Sequence, residues 1–244
     1  MLSKLIKYDF LAMSKKMFPI FLAMLSLTTI CSLMAKFRMT GGIIFMIFAI
    51  LLGILLSASF AITIVYIVLR FQNALLKDEG YLSFALPVKT EMHILAKLIN
   101  SIIWAALEVV TVAICILIMG LIAGSIRDVA EVFRIFFTLD AEFYLSILQI
   151  LLLMGVELIA ATSMFYAAIS IAHLFDRHQT LIATGVVVII LIIRSMVLPT
   201  KFFYEPSSSE MVLISPVLYL TPIVCSAIYS LITWYILDKR LNLE

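Results

Sequence analysis

The feature that most constrains this chain is a series of six apolar runs, each long enough to cross a membrane as a helix. Crossing the hydrocarbon core takes about 20 apolar residues in an α-helix. In lipid the backbone must bond to itself, so helices are expected unless the sequence alternates as barrel strands do, and this one does not. We predict spans over residues 17–35, 42–69, 98–123, 143–172, 180–198 and 211–237.

Composition supports an all-α integral membrane protein. Hydrophobic residues make up 64% of the 244 residues and charged residues 13%. Soluble domains are about half apolar and about a quarter charged. The net charge of +2 gives no sign of a nucleic-acid partner. Because no polar stretch is long enough for a separate soluble domain, we expect one transmembrane domain over 1–244. Within its last run, Pro216 and Pro222 predict a short outer helix followed by a kinked span.

Residues 1–16 predict an amphipathic helix that lies at the membrane interface. Lys4, Lys7 and Lys15 fall opposite an apolar arc, which Asp9 and Lys16 interrupt. This pattern is typical of a helix in the headgroup plane. The alternative is a polar leader that only orients the first span. At 100° per residue, the apolar arc contains Leu2, Leu5, Ile6, Phe10, Met13 and Met17.

The lysines and arginines predict the orientation. Of the 17 basic residues, eleven fall on the side that holds both termini, the 70–97 connection and the connection around 173–179. The other side holds six. Because cytoplasmic loops are enriched in lysine and arginine, we place both termini and the 70–97 connection in the cytoplasm of a multi-pass protein of the cell membrane.

Two acids, Glu108 and Glu157, lie inside apolar spans. An ionised acid there costs about 2.5–3.5 kcal/mol on insertion scales, so it needs a proton, a partner or water. The acids can share a proton, or pair with Asn100, Thr111, Gln149 or Thr162. Glu108, Glu157 and Gln149 are therefore candidates for a substrate path or gate. The alternative is that the acids tie helices together.

Two further features of the spans concern packing and depth. Gly53, Ser57 and Ala61 recur every four residues, which favours close helix packing within the chain or at a dimer face. Arg194 falls late in the fifth span, where we expect its side chain to extend toward the outer headgroups.

The sequence lacks three common motifs of nucleotide binding and catalysis. It contains no G-x-x-x-x-G-K-[ST], no H-E-x-x-H and no G-x-S-x-G. The three histidines are scattered, and the three cysteines lie in apolar runs at spacings that match no metal site. We therefore expect no enzyme activity, no metal and no cofactor in this chain.

The connection 70–97 contains a compact apolar segment in a charged setting, "DEGYLSFALPVKTE" at 78–91. Gly80 permits a sharp turn and Pro87 disfavours helix at Leu86. A short helix with aromatic anchors and a polar rim is typical of a protein docking site. The alternative is a helix that lies back on the headgroups.

This segment resembles the first cytoplasmic loop of permeases of ATP-binding cassette exporters of the type-2 group, particularly small six-span bacterial permeases. Their loop often reads close to "DEGYL-F-LPV" and is followed by a helix rich in leucine and lysine. The six-span layout with an N-terminal interfacial helix is similar too. The matching residues are Asp78, Glu79, Gly80, Tyr81, Leu82, Phe84, Leu86, Pro87, Val88 and Lys97.

The resemblance implies a permease subunit that docks a separate cytoplasmic ATPase through a short coupling helix in 78–89, ending at Lys89. A smaller contact would be made by His173, Asp176 and Arg177. ATP and magnesium would bind the ATPase, and a second permease copy or sister subunit would complete the exporter. Amphipathic or antimicrobial peptides are the favoured cargo. The alternatives are an ion-coupled carrier that uses Glu108 and Glu157, and a non-transporting scaffold or sensor.

Overall fold

The computed structural model describes residues 2–76, 88–124, 131, 134, 136–138, 140–175, 177–197 and 216–239. Within these ranges 93% of the residues are helical and there is no strand, which confirms the all-α fold. A 3-10 turn, Met39–Gly41, lies between the first two helices. The long helices are α1 Leu2–Lys36, α2 Ile43–Leu75, α3 Thr90–Ala123, α4 Ala141–Ala172, α5 Gln179–Val197 and α6 Pro216–Lys239.

These six helices confirm the six predicted spans, because each is long and apolar enough to cross a membrane. The chain is thus a multi-pass membrane protein. Helices α1 to α4 contain 32–35 residues, which at 1.5 Å per residue is about 48–52 Å. The hydrocarbon core is about 30 Å thick. Four of the helices therefore tilt or continue past the hydrocarbon, whereas α5, with 19 residues, is about 28 Å long.

The N-terminal helix exists as predicted, but it is continuous with the first span instead of being separate from it. Its apolar arc also has a partner within the protein. Phe10 stacks on Trp104 with ring centroids 4.9 Å apart, and Met13 and Met17 are buried. This part of the arc therefore packs against protein. Contact of Leu2, Leu5 and Ile6 with headgroups stays a prediction.

The last helix continues through Pro222, and the kink that its prolines predict stays a prediction. Pro216 is the first residue of α6, where its missing N–H would have no helical partner anyway. Pro222 lies inside the helix and is fully buried. Proline at 222 frees the carbonyl of Leu218, and the hydroxyl of Thr221 lies 3.5 Å from that oxygen. In membranes, nearby hydroxyls satisfy carbonyls freed by proline, which is the physical reason that α6 continues. The predicted outer helix before 216 lies outside the described residues.

The chain divides into two compact units. The first, here called the N-terminal unit, comprises residues 7–66 and 103–140. The C-terminal unit comprises residues 1–6, 67–102 and 141–244. The boundaries fall within α1, α2 and α3, so these helices contribute residues to both units. A single permease domain over the whole chain stays a prediction.

Aromatic rings and small residues form the cores of the two units. In the N-terminal unit, Phe10, Phe18 and Phe21 of α1 surround Trp104 of α3, which is 0% exposed. In the C-terminal unit, α4 packs against α5 and α6. Phe71 also stacks on Tyr166, with ring centroids 4.0 Å apart.

The predicted packing stripe on α2 does not pack within the chain. Gly53, Ser57 and Ala61 are all exposed, and a Cβ atom added to Gly53 would meet nothing within 4 Å. The buried face of α2 lies elsewhere, at Ser59 and Thr63 among others. A dimer face at the stripe remains a prediction. Small buried residues occur instead on α4, at 160, 167 and 168.

Candidate functional site

Glu108 of α3 lies at the centre of a polar cluster in the N-terminal unit. Its side chain is 1% exposed. The hydroxyl of Ser59 lies 2.6 Å from Oε1 of the carboxyl group, and the hydroxyl of Thr63 donates to Oε2 at 2.9 Å. Both hydroxyls belong to α2, so the cluster connects two spans by side-chain hydrogen bonds.

The spacing on α2 explains this arrangement. Ser59 and Thr63 are four residues apart, so they lie one turn apart on the same helix face and reach both oxygens of one carboxyl group. Thr63 also lies 3.9 Å from the sulfur of Met17 on α1. The cluster is thus buried beside Met17, and its polar groups bond to one another.

Ser59 has two acceptors within reach. Its Oγ lies 2.8 Å from the carbonyl oxygen of Leu56 as well as 2.6 Å from Oε1 of Glu108. A hydroxyl carries one proton and can donate only one hydrogen bond at a time. Among the described residues, the second acceptor within reach of Thr63 is the weakly accepting sulfur of Met17. The two hydroxyls therefore depend on Glu108 to different degrees.

Glu157 has a different partner, Arg194. Its two carboxylate oxygens both lie 2.5 Å from Nη2 of the arginine, which donates to them. The arginine side chain is 21% exposed and the glutamate side chain 39% exposed, so the ion pair is accessible from one side. Arg194 thus has a partner on the neighbouring span that the spans taken one at a time do not predict, and the extension of its side chain toward the outer headgroups stays a prediction.

The positions of Glu157 and Arg194 in the sequence predict this ion pair when the two spans are considered together. Helices α4 and α5 are consecutive and are joined by the short turn 173–178. Glu157 precedes Ala172 by 15 residues, and Arg194 follows Gln179 by 15 residues. In an antiparallel helix pair, residues equally distant from the turn lie at the same level. Opposite charges at matching distances therefore predict the pair.

Three of the other predicted partners, Thr111, Thr162 and Gln149, make hydrogen bonds with groups other than the two acids. Thr111 donates to the backbone of Leu107 and Thr162 to that of Leu158, each within its own helix. The backbone oxygen of Gln149 accepts from the hydroxyl of Tyr219, whereas its buried side-chain oxygen has no hydrogen-bond partner among the described residues. Each acid bonds to a partner in its own unit, and sharing of a proton between Glu108 and Glu157 stays a prediction.

Most of the predicted ATPase-docking residues lie outside the described residues, namely Asp78, Glu79, Gly80, Tyr81, Leu82, Phe84, Leu86, Pro87 and Asp176. Val88 and Lys89 directly precede α3, and Lys89 is exposed. In the turn after α4, Arg177 is exposed and His173 is half-buried. The described part of the docking region is thus at helix ends.

No family model, curated protein or solved structure matches the chain. Within the described ranges, no group of three or more histidine, cysteine or acidic side chains could hold a metal ion. The described spans contain two polar arrangements, a buried carboxyl group held by two hydroxyls and a partly exposed ion pair. Both connect helices, and only the second is accessible.

Proposed function

We propose that this chain is the transmembrane permease subunit of an ATP-driven exporter in a bacterial cell membrane. Its termini and the 76–89 connection face the cytoplasm, where a separate ATPase binds ATP and magnesium and docks on residues 78–89. A second permease, identical or related, completes the exporter. Amphipathic or antimicrobial peptides are the proposed cargo.

The observation that carries this proposal is how far α2 and α3 extend toward the docking segment. Hydropathy predicts that the membrane part ends near residue 69 and resumes near residue 98. Helix α2 continues to Leu75 and α3 begins at Thr90. At 1.5 Å per residue, these extensions are about 9 Å and about 12 Å long. We infer that both helices carry their connection to the headgroup region at the edge of the apolar layer, within reach of a soluble partner.

Glu108 connects these two helices inside the membrane. The hydrogen bonds from Ser59 and Thr63 join α2 to α3 at mid-span. An ATPase can move the permease only if it contacts two conformations of the docking segment differently. A joined helix pair would carry such a movement from the docking segment into the spans. We therefore assign Glu108 to the connection between helices.

The Glu157–Arg194 ion pair is the proposed polar element of the cargo path. Charged side chains within spans almost always face the protein interior or a water-filled cavity. The exposed edge of this pair is therefore better suited to water or a polar cargo than to lipid chains. Its accessibility distinguishes it from Glu108, which is enclosed.

The docking proposal is tested by co-purification from the native membrane in mild detergent, with mass spectrometry of the bound proteins. We expect an ATPase to accompany the wild-type chain and to be lost from the Tyr81→Ala/Phe84→Ala variant. The matched control is Phe136→Ala/Phe137→Ala, which removes two exposed aromatics from the connection on the opposite side.

Two results would contradict the proposal. One is ATPase retention by the Tyr81→Ala/Phe84→Ala variant at the wild-type level. The other is transport by the purified chain alone, driven by an ion gradient in vesicles without ATP. The second result would instead support an ion-coupled carrier, for which Glu157 is the accessible acid.

A further inference from the structure

A half-open groove runs along the C-terminal unit between the first two turns of α3 and the second half of α6. Its volume is about 560 Å³, within the range of about 300–1,000 Å³ that holds small ligands. Helix α3 contributes positions 91, 94, 95 and 98, and α6 contributes positions 227, 230, 231 and 234. Each set follows the i, i+3, i+4, i+7 spacing of one helix face.

The two ends of the groove differ in chemistry. Glu91, the only charged side chain among the lining residues, lies in the first turn of α3 and is exposed. Asp238 adds a second carboxylate near this end, since its Oδ1 lies 3.4 Å from the hydroxyl of Thr90. Farther along α3, the lining is apolar at Leu95 and Leu98. Acid at one end and a mainly apolar lining along the rest, with Ser230 as its one hydroxyl, make the groove amphipathic.

The length of the groove limits what can occupy it. Each lining stripe covers two helical turns, about 11 Å of helix. A membrane-spanning partner helix would need an apolar stripe of about 20 residues. An apolar stripe of about 11 Å is long enough for a single alkyl chain. Such a chain would lie beside Leu231 and Trp234 of α6.

We propose that this groove binds a single-chain amphiphile with an amine head, taken from the bilayer leaflet at the α3 N-terminal end. The ammonium group lies against Glu91, and the alkyl chain extends toward Leu98. The inference goes beyond the proposed function, because it concerns binding alone and requires neither an ATPase nor transport.

The two tryptophans of the chain provide the assay. Trp234 lines the groove, whereas Trp104 is buried in the N-terminal unit. In a Trp104→Phe variant in zwitterionic nanodiscs, an alkylamine with a nitroxide on its chain should quench the fluorescence of Trp234 and reach saturation. Nitroxide-labelled chains with a carboxylate head or an uncharged sugar head serve as comparison probes and should bind more weakly.

Replacing the acid tests the head-group contact. Glu91→Gln should weaken apparent amine binding by about two- to fivefold, as expected for an exposed ion pair. The matched control is Glu142→Gln, which removes an exposed acid from the first turn of α4 and should change nothing. If Trp104→Phe fails to fold, the wild-type chain and a Trp234→Phe variant are compared instead. Saturable quenching should then be present in the wild type and absent in the variant.

The proposal is overturned if the three probes quench Trp234 equally, because the groove would then contact lipid chains without regard to the head group. It is also overturned if Glu91→Gln and Glu142→Gln behave alike, or if quenching rises linearly without saturation. Since the assay contains neither ATP nor a partner protein, its failure is separate from a failure of the docking proposal.

Discussion

Replacing Glu108 tests whether hydrogen bonds hold α2 and α3 together inside the membrane. Glu108→Ala removes two interhelical hydrogen bonds, each worth about 0.6–1.7 kcal/mol in membrane proteins. It also removes a buried methylene, worth about 0.8 kcal/mol. We expect the free energy of unfolding to fall by about 2–4 kcal/mol. Glu108→Gln should lose less than about 1 kcal/mol, because an amide can donate to one hydroxyl and accept from the other.

The two hydroxyls should contribute unequally. When Glu108 is removed, Ser59 can still donate to the carbonyl of Leu56 at 2.8 Å. Within the described part of the chain, Thr63 has only the sulfur of Met17 at 3.9 Å. In double-mutant cycles with Glu108→Ala, we therefore expect a larger coupling energy for Thr63→Val than for Ser59→Ala.

Reversible unfolding of the purified chain in mixed micelles, with increasing denaturing detergent, measures these differences. Glu142→Ala is the control for loss of an exposed acid, and a change within about 0.5 kcal/mol is expected. The reasoning is refuted if Glu108→Gln destabilises as much as Glu108→Ala, because hydrogen bonding would then not be what Glu108 provides. A larger coupling for Ser59 than for Thr63 would refute the assignment of the hydroxyls.

Two further predictions use the same unfolding measurement. Arg194→Ala leaves Glu157 without its cation and should lower the free energy of unfolding by about 1–3 kcal/mol, less than for a fully buried pair because both side chains are partly exposed. The double variant Glu157→Gln/Arg194→Gln should be more stable than Arg194→Ala. Equal stability of these two variants would argue against the ion pair. Phe10→Ala should lower the free energy of unfolding by about 1–3 kcal/mol and shift the tryptophan emission to the red. The control Leu11→Ala, at an exposed position, should do neither. Equal effects of the two variants would argue against packing of the N-terminal apolar arc on protein.

Hydropathy was sufficient to predict the six spans, but not where their helices end. The stretches 70–75 and 90–97 contain charged and polar residues, so a search for apolar runs stops before them. Both stretches are helical, because helix formation does not require lipid and the turns continue from a span that is already formed. The same continuity explains why residues 2–16 and the first span form one helix.

The partners of the buried acids were predictable only in part. Their position inside apolar spans indicates that Glu108 and Glu157 need partners. The small residues on α2, however, predict packing at the face of Ser57, which is exposed. The face of Ser59 and Thr63 carries two hydroxyls one turn apart and is the one that meets Glu108. Which face turns inward depends on packing between helices, and a pattern within one helix does not specify it.

The ion pair between α4 and α5 also fixes the register of that hairpin. Sliding one helix past the other by a single turn would shift it by about 5.4 Å and separate charges that now lie 2.5 Å apart. Both charges would then be left unneutralised in the apolar layer, which is costly. The hairpin from Ala141 to Val197 is therefore expected to move as a rigid body, without sliding of α4 relative to α5. Any sliding of helices past one another would involve other helices.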